Sequence, residues 1–127
     1  MNLLLDTNAF LWWLDDSQKL GPKARVAIES EGNLVFVSAA TAWEIAVKRA
    51  SGKLEAPGMI ADWIEANGFV ELPIEVAHAT ASAELPKHHR DPFDRLLIVQ
   101  AHLKAMTLVA RDDEMDGYDV RILDAGS

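Results

Sequence analysis

No cysteine occurs anywhere in this 127-residue chain. That excludes disulfide cross-links, thiolate catalysis and cysteine zinc sites, and it fits a reducing compartment, the cytoplasm. No apolar stretch reaches membrane-spanning length. Nor does a basic region followed by a long apolar segment open the chain, so neither a membrane span nor a signal peptide is expected. Basic residues are scarce: 12 Lys and Arg stand against 20 Asp and Glu, a formal net charge of −8. A protein of that sign does not hold nucleic acid by bulk electrostatics, which takes basic patches that displace counterions. A nucleic-acid substrate would need cations or local Lys/Arg clusters to offset the field. Also missing are a G-x-G-x-x-G turn, a Gly-rich phosphate loop and a G-x-S-x-G elbow, which counts against dinucleotide, P-loop and serine-nucleophile chemistry. No repeat, low-complexity tract or linker divides the chain. Residues 1–127, half of them hydrophobic, therefore read as a single domain with a real core.

What is present is an alternation of apolar runs and amphipathic stretches. Residues 2–6 read as a strand, and 8–15 as a short helix that is apolar nearly all round. Gly21-Pro22 opens a helix through about Ser30, with proline at the tolerated first position. Leu34–Val37 is a strand, and Ser38 is the natural N-cap of a helix over 39–51 that ends at Gly52. A helix over 58–66 stops at Asn67-Gly68, Phe69–Leu72 is a short strand, and 75–84 is an alanine-rich helix. Leu85–Arg90 is a polar loop. Asp91-Pro92 starts a helix over 92–104, and Thr107–Ala110 and Val120–Leu123 close as strands. Strands alternating with helices predict an α/β sandwich with a largely parallel sheet.

The acids stand at informative places. Leu3-Leu4-Leu5 delivers Asp6 into Thr7-Asn8, at the sheet rim where open α/β sheets bind ligands. Leu34–Val37 delivers Ser38 in the same way, and Thr107–Ala110 delivers Arg111-Asp112-Asp113. Capping alone accounts for an Asp-Thr-Asn turn about as well as function does. Thr41, Glu44 and Lys48 share one helical stripe, and by itself that is an exposed Glu–Lys pair worth about 0.2–0.5 kcal/mol. Asp94 precedes Leu97 and Ile98 by three and four residues, so it points along an apolar stripe, where a carboxylate needs a partner. Asp91 is the natural cap. Of Asp112 and Asp113, the strand end favours Asp112. His88-His89 reads as solvated loop, and His78 and His102 as lone helical histidines.

Taken together, the segments resemble a PIN-domain ribonuclease of the VapC-like toxin branch of toxin–antitoxin pairs. The resemblance rests on Leu3-Leu4-Leu5-Asp6-Thr7-Asn8 and on the run from Val37-Ser38 through Thr41, Trp43-Glu44 and Lys48. It continues in His89-Arg90-Asp91-Pro92-Phe93-Asp94-Arg95 and in Leu108 through Arg111-Asp112. The four blocks fit in order and spacing across nearly the whole chain. Ala110 departs from the pattern, since Thr or Ser is common before the last acid. The resemblance implies a three-layer α/β/α sandwich around a mostly parallel sheet, with Asp6, Glu44, Asp94 and Asp112 as catalytic and metal-holding acids. Thr7, Asn8 and Ser38 would be supporting polar groups.

The chemistry agrees with such a quartet. Two carboxylates ~5 Å apart repel by about 3 kcal/mol at an effective dielectric near 20, so gathered acids take up a cation or protons. All-oxygen ligation favours Mg²⁺ or Mn²⁺, and a cation also bridges an acidic protein to an anionic backbone. The expected reaction is metal-dependent hydrolysis of an RNA phosphodiester by activated water, with Asp6 and Asp94 as first ligands. Arg95, Arg111 and Lys48 are candidates for phosphate contact or for salt bridges. VapC-like toxins are held by a cognate antitoxin and usually pair as homodimers. Phe10, Trp12 and Trp13 are the candidate partner-binding residues, because adjacent tryptophans on one helix cannot share one core face. The alternative reading is a non-catalytic acidic module for a basic peptide, which would work without metal. A Mg²⁺-dependent phosphatase ranks last, since Asp6-Thr7-Asn8 lacks a second Asp two residues after the first.

Overall fold

Three consecutive leucines make the first strand the axis of the molecule. The computed structural model describes residues 1–86, 91–111 and 118–127. In them the chain runs β1 (Asn2–Leu5), α1 (Thr7–Leu14), α2 (Pro22–Glu29), β2 (Leu34–Ser38), α3 (Ala39–Ala50) and α4 (Ile60–Ala66). It continues with β3 (Val70–Leu72), α5 (Val76–Glu84), α6 (Pro92–Leu103), β4 (Thr107–Ala110) and β5 (Arg121–Asp124). All pairings are parallel and the sheet order is β3-β2-β1-β4-β5. β1 pairs Leu4 with Phe36 on one side and with Leu108 on the other.

Alternation along β1 divides the core in two, because successive strand side chains face opposite ways. Leu3 and Leu5 join Val35, Val37 and Val109 under Phe10 of α1, Ala24 and Ile28 of α2 and Ile64 of α4. Leu4 joins Leu108 and Ala110 under Leu96, Leu97, Ile98 and Ala101 of α6. A parallel sheet with both faces covered needs apolar residues at consecutive positions, and Leu3, Leu4 and Leu5 are all fully buried. The expected three-layer α/β/α sandwich is the one observed.

Boundaries shift by a residue or two, each for a local reason. β1 ends at Leu5 because Asp6 turns to cap α1, although its N–H still bonds Val109 O at 3.0 Å. α4 starts at Ile60 rather than 58, since Gly58 sits at φ +102, a conformation no helix contains. Phe69 stays outside β3 because its N–H closes the preceding helix on Ile64 O.

Strand order fixes where a site can form. From β1 the chain steps outward to β2 and β3, then crosses back to β4 and β5 on the other side. The order therefore reverses between β1 and β4, and ligand sites of open parallel sheets lie at the carboxyl ends of such strands. Asp6 is the residue after β1.

Candidate active site

An open cleft of about 360 Å³ at that rim is lined by Asp6, Thr7, Asn8, Glu44, Lys48, Asp91 and Asp94. Each side chain is placed by the start of a helix or by its buried face. Asp6 is almost fully buried and is the N-cap of α1, its Oδ1 accepting from Ala9 N at 2.7 Å. A carboxylate there is stabilised by the positive end of the helix, so one residue both caps and faces the cleft. Asp91 caps α6 in the same manner, with Oδ1 accepting from the N–H groups of Phe93 and Asp94 at 2.9 and 3.2 Å. That cap sets Asp94 in the first helical turn, half-buried.

Glu44 enters from α3 and is buried, with its two oxygens occupied differently. Thr7 Oγ1 donates to Oε1 at 2.7 Å, and Lys48 Nζ donates to Oε2 at 2.7 Å. Thr7 has one hydroxyl proton, so in its 3.3 Å contact with Thr41 Oγ1 the Thr41 hydroxyl must be the donor. The Lys48 ammonium is held above its usual pKa range. The hydrogen bond to Glu44 is the main cause; partial burial opposes it, and the charges of Glu44, Asp91 and Asp94 reinforce it.

A model of the PIN domain matches residues 3–120. The chain belongs to the PIN-domain family. It also superposes on a chain of VapBC2 from Rickettsia felis, solved bound to a promoter DNA fragment. The TM-score is 0.67 at 11% identity, over 97% of this chain and 98% of that one. A toxin–antitoxin complex from Klebsiella pneumoniae gives 0.66 at 17% identity, over 97% of each chain. FitAcB from Neisseria gonorrhoeae gives 0.57 at 19% identity, again over 97% of each. At such identities the likeness is one of fold. No curated protein matches the sequence.

In this PIN domain the cleft brings together Asp6 from the end of β1, Thr7 and Asn8 from the start of α1, Glu44 from the middle of α3 and Asp94 from the first turn of α6. Asp112 and Asp113 lie outside the described residues, as do His88, His89 and Arg90. Among the described residues no group of three or more acids or histidines is disposed to hold a metal ion. In kind the donors do fit a hard divalent cation, because carboxylates and hydroxyls supply only oxygen. Glu44 is paired with Lys48, and Asp6 and Asp94 line the same cleft.

Three expectations are corrected. Phe10 is fully buried and stacks obliquely on Phe69, with centroids 6.3 Å apart, so it belongs to the core and cannot contact a partner. Trp12 and Trp13 are both half-buried against that core, and Trp13 Nε1 donates to Asn67 Oδ1 at 3.0 Å. Ser38 does not line the cleft. It caps α3 through Ala40 N, and its buried hydroxyl donates to Gln100 Oε1 at 2.6 Å. Arg95 is not poised for phosphate either, since its guanidinium binds the carbonyls of Ser82, Leu85 and Pro86.

The Ser38 bond leads to a network that the sequence reading missed. Gln100 Nε2 donates to Pro73 O at 3.1 Å and lies 3.3 Å from His78 Nδ1, which itself accepts from Glu75 N. Ser38, Gln100 and His78 are all fully buried. They tie the end of β2 and the starts of α3 and α5 to α6, and so fix the two helices that carry Glu44 and Asp94. The signal was present: Gln100 follows Leu96 and Leu97 by four and three residues, a polar group on the apolar stripe.

Proposed function

We propose that this PIN domain is a metal-dependent ribonuclease and the toxin of a toxin–antitoxin pair. The observation that carries the reading is the single cleft at the carboxyl end of β1 into which β1, α3 and α6 each deliver an acid. Asp6 and Asp94 would hold a Mg²⁺ or Mn²⁺ ion, and Asp112, outside the described residues, is the further acid that the family resemblance implies. Such an ion supplies positive charge for the scissile phosphate and acidity for the attacking water. Glu44, locked by Thr7 and Lys48, fixes the wall of the cleft and turns one carboxylate oxygen toward each. Water adds to phosphorus as the bond to the 3′ oxygen breaks, leaving a 5′-phosphate and a 3′-hydroxyl with no covalent enzyme intermediate. Restraint would come from a cognate antitoxin on the apolar flank of α1, where Trp12 and Trp13 are half-buried.

Asp6→Asn and Asp94→Asn test the reading, since each keeps shape and removes the charge that a metal needs. Each variant is expected to fold, by circular dichroism, and to lose Mg²⁺-dependent release of acid-soluble fragments from RNA. Either one, folded and cleaving at the parent rate, would remove its residue from the site. Cleavage unaffected by chelation would overturn metal dependence.

A further inference from the structure

One residue before each of two acids that line the cleft, Glu44 and Asp94, stands an aromatic ring that the proposed chemistry does not use. Trp43 and Phe93 meet edge to face, with centroids 4.8 Å apart and planes at 78°. Trp43 directly precedes Glu44 on α3, and Phe93 directly precedes Asp94 on α6. The pair therefore joins the two helices one residue away from the acids. Trp43 is nevertheless 53% exposed, although a tryptophan normally buries most of its large apolar surface. Val47, one turn further along α3, is 47% exposed and extends the strip.

We infer that Trp43, braced by Phe93, is a specificity-determining residue that stacks an unpaired base of the RNA held at the cleft. The inference rests on the proposed nuclease reading and deepens it. A chain of net charge −8 has little with which to grip a phosphate backbone, so affinity must come from contacts that charge does not oppose. A ring face is such a contact, because every base has a π-face and stacking tolerates sequence. Bases stacked within a duplex cannot reach it, whereas splayed bases of loops and ends can.

The test compares Trp43→Ala, Trp43→Leu and Trp43→Phe in the full chain, cleaving a short single-stranded RNA of mixed sequence with Mg²⁺. Alanine and leucine are each expected to raise KM about tenfold with little change in kcat, while phenylalanine stays near the parent. The same RNA made abasic around the cleavage position should show no difference between the parent and Trp43→Leu. Parent-like KM in both Ala and Leu variants would overturn the inference and leave the nuclease reading standing. So would loss of self-association by light scattering in Trp43→Leu, which would make the strip a contact between copies of this chain. A parent that shows no Mg²⁺-dependent cleavage overturns both.

Discussion

Lys48 decides how the charge in the cleft is balanced. Its stem comes from the last turn of α3, where a cation suits the helix dipole, and its ammonium meets the buried Glu44 carboxylate. Since its pKa is raised in the folded state, the stabilisation is complete below the ordinary lysine value and is lost as pH rises through the folded one. Lys48→Met strands a buried carboxylate, which costs about 1–3 kcal/mol. Two outcomes are expected in thermal melts. The variant melts below the parent at neutral pH, and the gap narrows above the ordinary lysine range. Mg²⁺ should also raise the melting temperature of the variant more than that of the parent, because Glu44 then becomes available to the ion. Equal Mg²⁺ shifts would mean that Glu44 and the ion do not communicate. Spacing made the pair visible in sequence but not its burial: Glu44, Lys48 and Thr41 form the same stripe on an exposed helix as on one whose stripe meets Thr7.

Helix ends show where local sequence rules held and where packing overrode them. α3 closes with Gly52 at φ +75, followed by Lys53 N bonding to Lys48 O at 2.9 Å. α6 closes in the same way, with Met106 N on Ala101 O at 2.9 Å, yet the residue in the left-handed conformation is Ala105 at φ +54. Glycine adopts that conformation without the Cβ penalty. Gly52→Ala is therefore expected to destabilise by about 1 kcal/mol and Ala105→Gly to stabilise by about 0.5–1 kcal/mol. Opposite signs in urea denaturation would confirm the shared geometry, and equal signs would refute it. The glycine stop of α3 was legible in sequence, whereas the alanine stop of α6 was not, and the helix there was expected to reach Lys104. Similarly, Asp6, Ser38 and Asp91 announced themselves as caps, because short oxygen-bearing side chains before an apolar run have a local meaning. Which cap also faces the cleft is settled by neighbours far along the chain. Ser38 and Asp6 end adjacent strands, yet Gln100 takes the Ser38 hydroxyl inward while Asp6 lines the opening. Phe10 failed as a surface residue for the same reason, since Phe69 and the sheet were needed to show which side of α1 is buried.

Across the whole molecule, an acidic protein proposed to cut a polyanion must divide recognition between a few cations and uncharged contacts. The strand order places the cleft at the reversal between β1 and β4, so the acids gather at one rim and their repulsion is local. Among the described residues two cations of that region are committed. Lys48 pairs with Glu44, and the Arg95 guanidinium holds three backbone carbonyls between α5 and α6. Binding that neutralised many phosphates would release many counterions and weaken steeply with salt, by about 0.7 logarithmic units per phosphate on a single strand. Ring stacking releases none. For cleavage of a single-stranded RNA at saturating Mg²⁺, log KM plotted against log[KCl] should therefore rise with a slope no greater than about 1.4, the equivalent of roughly two phosphates. KM measured across a range of KCl with kcat followed in parallel gives the slope directly. A steep dependence, equivalent to six or more phosphates at roughly the same increment each, would show that the chain grips RNA through a basic surface. In that case the division of labour argued from its charge would be wrong. A shallow slope that stays shallow in Trp43→Ala, while KM itself rises, would assign the missing affinity to the rings rather than to charge.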